Sequence, residues 1–296
     1  MNGLTVREIL EKKATPTLSL EFFPPRTAVE FGVLGANIER MRRMGPDFVT
    51  CTYGAGGSSR EFSSEACELL SKLDFTPVVA HLTCVGASRA DLEAQVDKLY
   101  EAGYRNIMAL RGDPPKGDAA YVPAPDGLAH AVELVKLIKT RHPDICCGVG
   151  GYPEVHPEAV SAESDLRFLK EKLDAGADYV NTQLFFDTDA FFRFRDAAAR
   201  AGISKPIIPG LMPVASLKQA LKCVQFSKSA IPQALAQGLE EAASPKEAAD
   251  VGIRWIVDQI GALVHGGAPG IHLYILNKAK TLLDRRLSAA IRAWHG

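Results

Sequence analysis

A single (β/α)8 barrel of the TIM type, in the α/β class, is what the sequence predicts, on two observations. Eight short apolar segments of strand character are each followed by a helical stretch, the order that builds a parallel sheet with helices outside it. The connections are mostly short and no hydrophilic linker interrupts the 296 residues, so one domain over 1–296 fits better than an open doubly wound sheet or two small domains.

The first strand sets the pattern. In Leu18-Ser19-Leu20-Glu21-Phe22-Phe23, the residues Leu18, Leu20 and Phe22 alternate with Ser19, Glu21 and Phe23, a period of two that puts the carboxylate opposite the aliphatic face. Pro24-Pro25 end the strand. With the aliphatic face packed outward on helices, Glu21 points into an enclosed space; the alternative is a rim carboxylate paired with a lysine or arginine. A helix over 29–44 stops at Gly45-Pro46. Strand two, 47–53, runs into Gly54-Ala55-Gly56-Gly57-Ser58-Ser59, a turn whose backbone can approach a ligand closely, before a helix to residue 73. Strand three, 77–83, carries His81, and the helix over 91–102 is capped by Gly103.

Strand four, 106–111, leads into Arg111-Gly112-Asp113-Pro114-Pro115 and a long Pro/Gly-rich loop ahead of a helix over 127–140; loops of that length often carry function. Strand five, 145–149, precedes Gly150-Gly151-Tyr152-Pro153-Glu154-Val155-His156-Pro157 and a helix over 161–175. Strand six, 178–185, sets Val180, Thr182 and Leu184 against Asn181, Gln183 and Phe185, so a polar pair turns the way Glu21 turns. A helix over 189–201 closes at Gly202, strand seven covers 206–211, and a helix follows over 216–227. An additional helical region precedes strand eight (270–276): Ser244-Pro245-Lys246-Glu247 reads as a capping box with proline at the first helical position, opening a helix to residue 264. One helix over 277–293 completes the order.

Composition narrows the partner. With 34 basic and 35 acidic residues the net charge is −1, which offers no electrostatic footprint for nucleic acid or an anionic membrane and points to small molecules. The first fourteen residues hold Arg7, Glu8, Glu11, Lys12 and Lys13 without a long apolar run, so neither a signal peptide nor a membrane anchor is expected, and the protein reads as cytoplasmic. Six cysteines form no CxxC pair, so neither disulfides nor a structural metal site are expected. No nucleophile elbow, Walker A loop, HExxH or GxGxxG occurs, and the strands carry no lysine for a Schiff base. What remains at the strand ends is acid–base groups, an amide on Gln183, and glycine-flanked loops suited to a large phosphate-bearing cofactor.

The runs LSLEFFPPRT, VTCTYGA, AHLTC, ALRGDPP, YPEVHPEA, DAGADYVNTQLFFD, IIPGLMPV and LYILNKA, in this order over nearly the whole chain, resemble the flavin-dependent 5,10-methylenetetrahydrofolate reductases. The resemblance implies a barrel holding FAD at its mouth, reduced by NADH or NADPH, that passes hydride to 5,10-methylenetetrahydrofolate to give 5-methyltetrahydrofolate. It implies catalytic roles for Glu21, as the acid that protonates the folate N10, and for Asp113, beside flavin and pterin. That acid must hold its proton near neutral pH, with Phe22, Phe23, flavin and pterin expected to exclude water around it. Flavin contacts carry over to Thr52, Tyr53, Ala55, His81, Arg111, Gly112, Asp113, His130, Ala131, Tyr152, His156, Ala159, Asp165 and Lys172. Arg111, His156 and Lys172 are suited to oppose a pyrophosphate, and Asp165 to accept from a ribose hydroxyl. Substrate contacts carry over to Asp113, Gln183, Gln219 and Lys278.

Three positions depart from the family's pattern. His130-Ala131 stands where some members have Tyr-Ala, Cys223 where an aromatic stands near the nicotinamide or folate, and Lys278 where some have arginine, which keeps the charge and loses the bidentate fork. The chain ends directly after the barrel, so the resemblance carries no expectation of feedback by S-adenosylmethionine. A homo-oligomer is expected, with no nucleic-acid or membrane partner and no metal. Two other readings stay open at this point: a different barrel flavoenzyme that keeps the flavin contacts without needing Glu21, and a barrel that binds folate or flavin without turnover.

Overall fold

The period-two pattern along the first strand decides which face of every strand looks inward. The computed structural model describes residues 4–25, 27–52, 60–73, 75, 77–114, 121–277 and 279–295. Its strands are β1 (Thr17–Phe22), β2 (Phe48–Cys51), β3 (Val78–Thr83), β4 (Asn106–Leu110), β5 (Cys146–Gly151), β6 (Tyr179–Leu184), β7 (Ile207–Leu211) and β8 (Gly270–Tyr274). They close into one parallel barrel in sequence order. Glu21 lies opposite Thr50 of β2 and Tyr274 of β8. The same parity continues through Thr50–Val79, His81–Met108, Met108–Gly148, Gly148–Tyr179, Asn181–Ile208 and Gly210–His272. Side chains of paired residues share a face, so all of these look inward.

The opposite parity feeds the outer core. Leu18, Leu20, Phe22, Val49, Leu82, Ile107, Val149, Val180, Leu211, Ile271 and Leu273 pack in one cluster with the surrounding helices. Those helices are α2 (Ala28–Arg42), α3 (Arg60–Lys72), α4 (Arg89–Glu101), α5 (Ala131–Arg141), α6 (Ala162–Asp174), α7 (Thr188–Arg200), α8 (Leu217–Ser227), α9 (Gln233–Glu240), α10 (Pro245–His265), α11 (Ala279–Leu282) and α12 (Arg285–His295), preceded by α1 (Val6–Lys12). Among the described residues no helix is long and apolar enough to cross a membrane.

Inside, the barrel is divided by height. Its lower half is apolar: Phe48, Val79, Met108, Cys146, Tyr179 and Ile208 fill it, and Val6 and Ile9 of α1 close it from below. α1 carries a capping box between Thr5 and Glu8, and the Val6 N–H donates to Asn106 Oδ1 at 2.8 Å, which fixes the plug to β4. This helix is not anticipated from the sequence, because with only seven residues and two buried apolar side chains it shows no sustained period. Anchors follow at the same end: Arg7 and Lys139 both reach Asp178 at 2.9 Å, while Lys13 and His295 both reach Asp47 at 2.8 Å.

Three further differences from expectation have a visible cause. α5 begins at Ala131 rather than 127, because Glu133 reaches back to accept from the N–H groups of Ala129 and His130 and so starts the helix there. β8 stops at Tyr274, since Leu276 and Asn277 take positive φ of 49° and 56°. Asn277 then exchanges two hydrogen bonds with the Phe23 backbone, at 3.0 and 2.9 Å. The last helix is two, broken where the Asp284 carboxylate accepts from the Arg286 N–H at 2.9 Å and starts α12. The added region between β7 and β8 comprises α9 and α10, which pack Leu235, Leu239 and Ala248 with Leu184, Phe186, Val214 and Cys223 in a second small core beside the barrel mouth. Ser244 accepts from the Glu247 N–H as the capping pattern predicts, while the Glu247 carboxylate reaches one residue further, to the Ala243 N–H at 2.8 Å.

Candidate active site

Above the apolar plug the inward residues turn polar. Glu21 of β1, 7% exposed, is flanked by two imidazoles: His81 Nε2 of β3 lies 3.7 Å and His272 Nε2 of β8 lies 3.6 Å from its Oε2. Burial pushes His81 down to about 4, against the pull of Glu21 and with the help of His272, so it is neutral at pH 7. Phe22 does not wall this space. It points outward and packs edge-on against Phe75 at 5.7 Å, as its parity requires, and Phe23 is exposed. The side chains that enclose Glu21 are therefore the two histidines and Tyr274, whose hydroxyl spans the barrel to the Thr182 carbonyl at 2.7 Å. Gly210 makes that crossing possible, because a Cβ there would lie 2.6 Å from the Tyr274 ring and against the Thr182 carbonyl.

Several buried polar atoms here have no hydrogen-bond partner among the described residues: Thr50 Oγ1, Thr52 Oγ1, His81 Nε2, Thr83 Oγ1 and Asn181 Oδ1. All belong to β2, β3 and β6 or the residue after β2, on the inward side. Buried polar groups are seldom left unpaired in native proteins, and a cluster of them at one mouth fits a polar ligand that supplies the missing partners. His81 Nε2 is one of these, facing the cluster without a hydrogen-bond partner among the described residues.

The β4–β6 sector carries the charged groups. Arg111, directly after β4, holds Glu158 through two hydrogen bonds of 2.5 and 2.8 Å and lies over the Tyr121 ring at 5.0 Å. Gly112 takes φ 89°, and a Cβ there would press on Val85 and Thr83. Asp113 follows, exposed. Tyr152 meets His156 edge-on at 4.5 Å, and burial, with Asp113 and Asp165 adding to it, pushes the Tyr152 hydroxyl up to about 12. Asp165 on α6 accepts from the His156 backbone N–H at 2.9 Å, and the Ala159 N–H donates to the His156 carbonyl at 2.9 Å. Lys172 reaches from α6 to the Gly150 carbonyl at 2.6 Å, and burial pushes its ammonium down to about 8 against the opposing pull of Asp165.

The remaining candidates are less concentrated. Gln183 stands on β6 one pleat above Asn181, its Oε1 accepting from the Leu184 N–H at 2.9 Å. Gln219 sits at the start of α8, where its side chain accepts from the Ala215 N–H at 3.0 Å and donates to the Pro213 carbonyl at 3.4 Å. His130 and Ala131 form the N-terminal boundary of α5, the His130 side chain exposed. Tyr53, Ala55 and Lys278 lie outside the described residues.

Three groups at the site escape the sequence reading. His272 and Tyr274 in Gly270–Tyr274 alternate with Ile271 and Leu273 just as Ser19 and Glu21 alternate with Leu18 and Leu20, so the signal was the same period of two on the last strand. Glu158 gives no such signal, because its approach to Arg111 depends on the loop after β5.

A model of the family described as Methylenetetrahydrofolate reductase matches residues 5–284. The 5,10-methylenetetrahydrofolate reductase of Escherichia coli (strain K12) is 37% identical over 277 residues, covering 93% of this chain and 90% of that protein. Methylenetetrahydrofolate reductase (NADH) 1 of Arabidopsis thaliana is 34% identical over 289 residues, 94% of this chain and 49% of that protein. The chain thus spans about half the length of the plant relatives and nine-tenths of the enterobacterial ones. Among solved structures, an uncharacterized protein from Clostridium thermocellum that binds two copies of 5-methyl-5,6,7,8-tetrahydrofolic acid matches with a TM-score of 0.67 at 16% identity, over 97% of this chain and 98% of that one, a likeness of fold.

Proposed function

The chain belongs to the methylenetetrahydrofolate reductase family, and from that premise we propose that it is an FAD-dependent oxidoreductase interconverting 5,10-methylenetetrahydrofolate and 5-methyltetrahydrofolate with NAD(P)H as electron donor. The observation that carries the reading is Glu21, a carboxyl group enclosed at the mouth with a neutral histidine, His81, beside it. FAD, when bound, supplies the hydride acceptor and donor that nicotinamide and folate use in turn. Every other task falls to the chain. Glu21 gives its proton to N10 of the folate as the bond from N10 to the methylene carbon breaks, and hydride completes the methyl group. A positioned acid of this kind contributes about 10²–10⁴ in rate.

The cofactor is held, in this reading, by Thr52 and His81 on the unpaired polar wall and by Arg111, Gly112, Tyr152, His156, Ala159, Asp165 and Lys172 in the β4–β6 sector. Tyr53, Ala55, His130 and Ala131 complete that set. Lys172 and Arg111 offer positive charge to a pyrophosphate, Arg111 by exchanging one of its Glu158 contacts for a phosphate oxygen. Asp113, Gln183, Gln219 and Lys278 bind the folate in this reading, Gln183 from the same face of β6 as Asn181, whose Oδ1 has no partner among the described residues. We place the protein in the cytoplasm, where its six buried free cysteines stay reduced, and expect a homo-oligomer.

Anaerobic stopped-flow spectroscopy tests the proposal. The purified protein should be yellow, bleach with NADH or NADPH, and regain its colour when 5,10-methylenetetrahydrofolate is added. Bleaching without recolouring would favour a different flavoenzyme, and a colourless protein that added FAD cannot reconstitute would remove the cofactor from the account.

A further inference from the structure

The loop after β5 carries a bend that its sequence resists. Val155 takes φ 73°, in the left-handed region, and among the described residues it is the only β-branched side chain to do so. That region presses Cβ against the following carbonyl oxygen, and a branched Cβ fits it worst, so such a bend persists only where its surroundings impose it. The proposed cofactor contacts Tyr152, His156 and Ala159 lie on either side of the bend.

Hydrogen bonds from two sources impose it. Within the loop and α6, the Val155 N–H donates to the Tyr152 carbonyl at 3.2 Å, the His156 N–H to Asp165 Oδ2 at 2.9 Å and the Glu158 N–H to His156 Nδ1 at 3.1 Å. The remaining bond reaches a distant segment: Glu154 Oε2 accepts from the Ala230 N–H at 3.0 Å. Ala230 lies in the connector between α8 and α9, which is held by its own contacts. Lys228 is left-handed there at φ 57°, and the buried Ser227 and Ser229 hydroxyls pair at 2.5 Å. Ser227 also donates to the Cys223 carbonyl at 3.1 Å, and Ile231 packs on the second small core. The half-buried Glu154 carboxyl group thus serves a backbone N–H, while Arg193, which acts on it through space, pairs with Asp187 at 3.3 Å.

We infer that Glu154 is a positioning residue for the cofactor site: anchored on the α8–α9 connector, it holds the left-handed bend at Val155 and with it the edge-on pair of Tyr152 and His156. This rests on FAD lying against that loop. Reach matters more than charge in this role. The acceptor must span from the β5 loop to the connector, so a shorter acid fails and an uncharged amide of the same length serves. A glycine at position 155 adopts the bend unaided, so it removes the need for the anchor.

The test measures the FAD dissociation constant of the holoenzyme and its variants by flavin fluorescence on dilution, with melting temperatures recorded in parallel. Glu154→Ala and Glu154→Asp should each weaken FAD binding about tenfold, while Glu154→Gln should stay within about threefold of wild type. Val155→Gly alone should bind FAD as wild type does, and adding it to E154A or E154D should restore affinity to within about threefold. A residue that merely stabilised the fold would not be rescued in this way, because glycine loosens the unfolded chain and cannot repair a lost stabilising contact. Glu154→Asp is the smaller change and keeps the test should Glu154→Ala not fold. Wild-type affinity in E154A and E154D, or a loss that V155G leaves in place, would overturn the inference while the cofactor reading stands. A wild-type protein that neither carries nor takes up FAD would instead remove the cofactor reading and the inference with it.

Discussion

Lys172 shows what a single side chain adds beyond its charge count. Its proposed role at the cofactor came only through the resemblance, whereas its burial and its bond to the Gly150 carbonyl depend on how α6 packs on β5. Because its ammonium is pushed down from 10.5 to about 8, it is charged below that pH and loses its proton as pH rises through it. The apoprotein's affinity for FAD should therefore weaken several-fold between pH 7 and 9. Titrated with FAD, Lys172→Ala should bind more weakly at pH 7 and show a flatter pH dependence, with a smaller effect on folate affinity; equal losses of both ligands would move Lys172 away from the phosphates. Asp113, exposed after β4, is expected beside the isoalloxazine. Asp113→Asn should raise the flavin potential by removing a negative charge that opposes the anionic reduced form, and potentiometry showing no change would return the RGDPP run to a loop role. Glu21, Asn181 and Gln183 were legible as inward groups from a period of two, which is a property of the strand. Glu158 was not, since no local pattern tells that Arg111 is already paired.

At the level of elements, the strands were the most legible part and helix starts the least. A strand in this barrel is bounded by where its pairing ends, which proline and glycine mark well; α5 begins where Glu133 turns back onto the preceding N–H groups, which composition marks poorly. The helix expected over 277–293 looked continuous because Asp284 is tolerated in a helix, yet its carboxylate here caps the next one. α10 depends on Gly252, where a Cβ would run into the Val214 carbonyl oxygen, so helix and β7–α8 connection touch backbone to backbone. Gly252→Ala should cost about 1–3 kcal/mol of stability by overpacking a rigid contact. A denaturant midpoint equal to wild type would show that α10 can shift outward freely.

Across the whole molecule, the N-terminal end of the barrel is closed by Asp47, which binds Lys13 after α1, the Leu18 N–H of β1 and His295 of α12. Burial alone would raise this carboxyl group, but hydrogen bonds from His295, Lys13 and Leu18 outweigh it and hold it below the usual carboxylate range. A depressed folded value means that the contribution is present above the unfolded value of about 3.9 and disappears as pH falls through the folded one. Asp47→Asn should thus lower the melting temperature at pH 7 and flatten its fall in acid; parallel acid limbs for both proteins would exclude Asp47 as their cause. With one end of the barrel closed by charge and a helical plug, the other end, where Glu21 stands, is the one left for the proposed chemistry. Single-turnover kinetics of Glu21→Gln therefore tests the account most directly, because the exchange keeps size and removes only the transferable proton. The variant should bind FAD and be reduced by nicotinamide at near the wild-type rate, yet reduce 5,10-methylenetetrahydrofolate about 10²–10⁴ times more slowly. Equal loss in both half-reactions, or loss in neither, would contradict Glu21 as the proton donor.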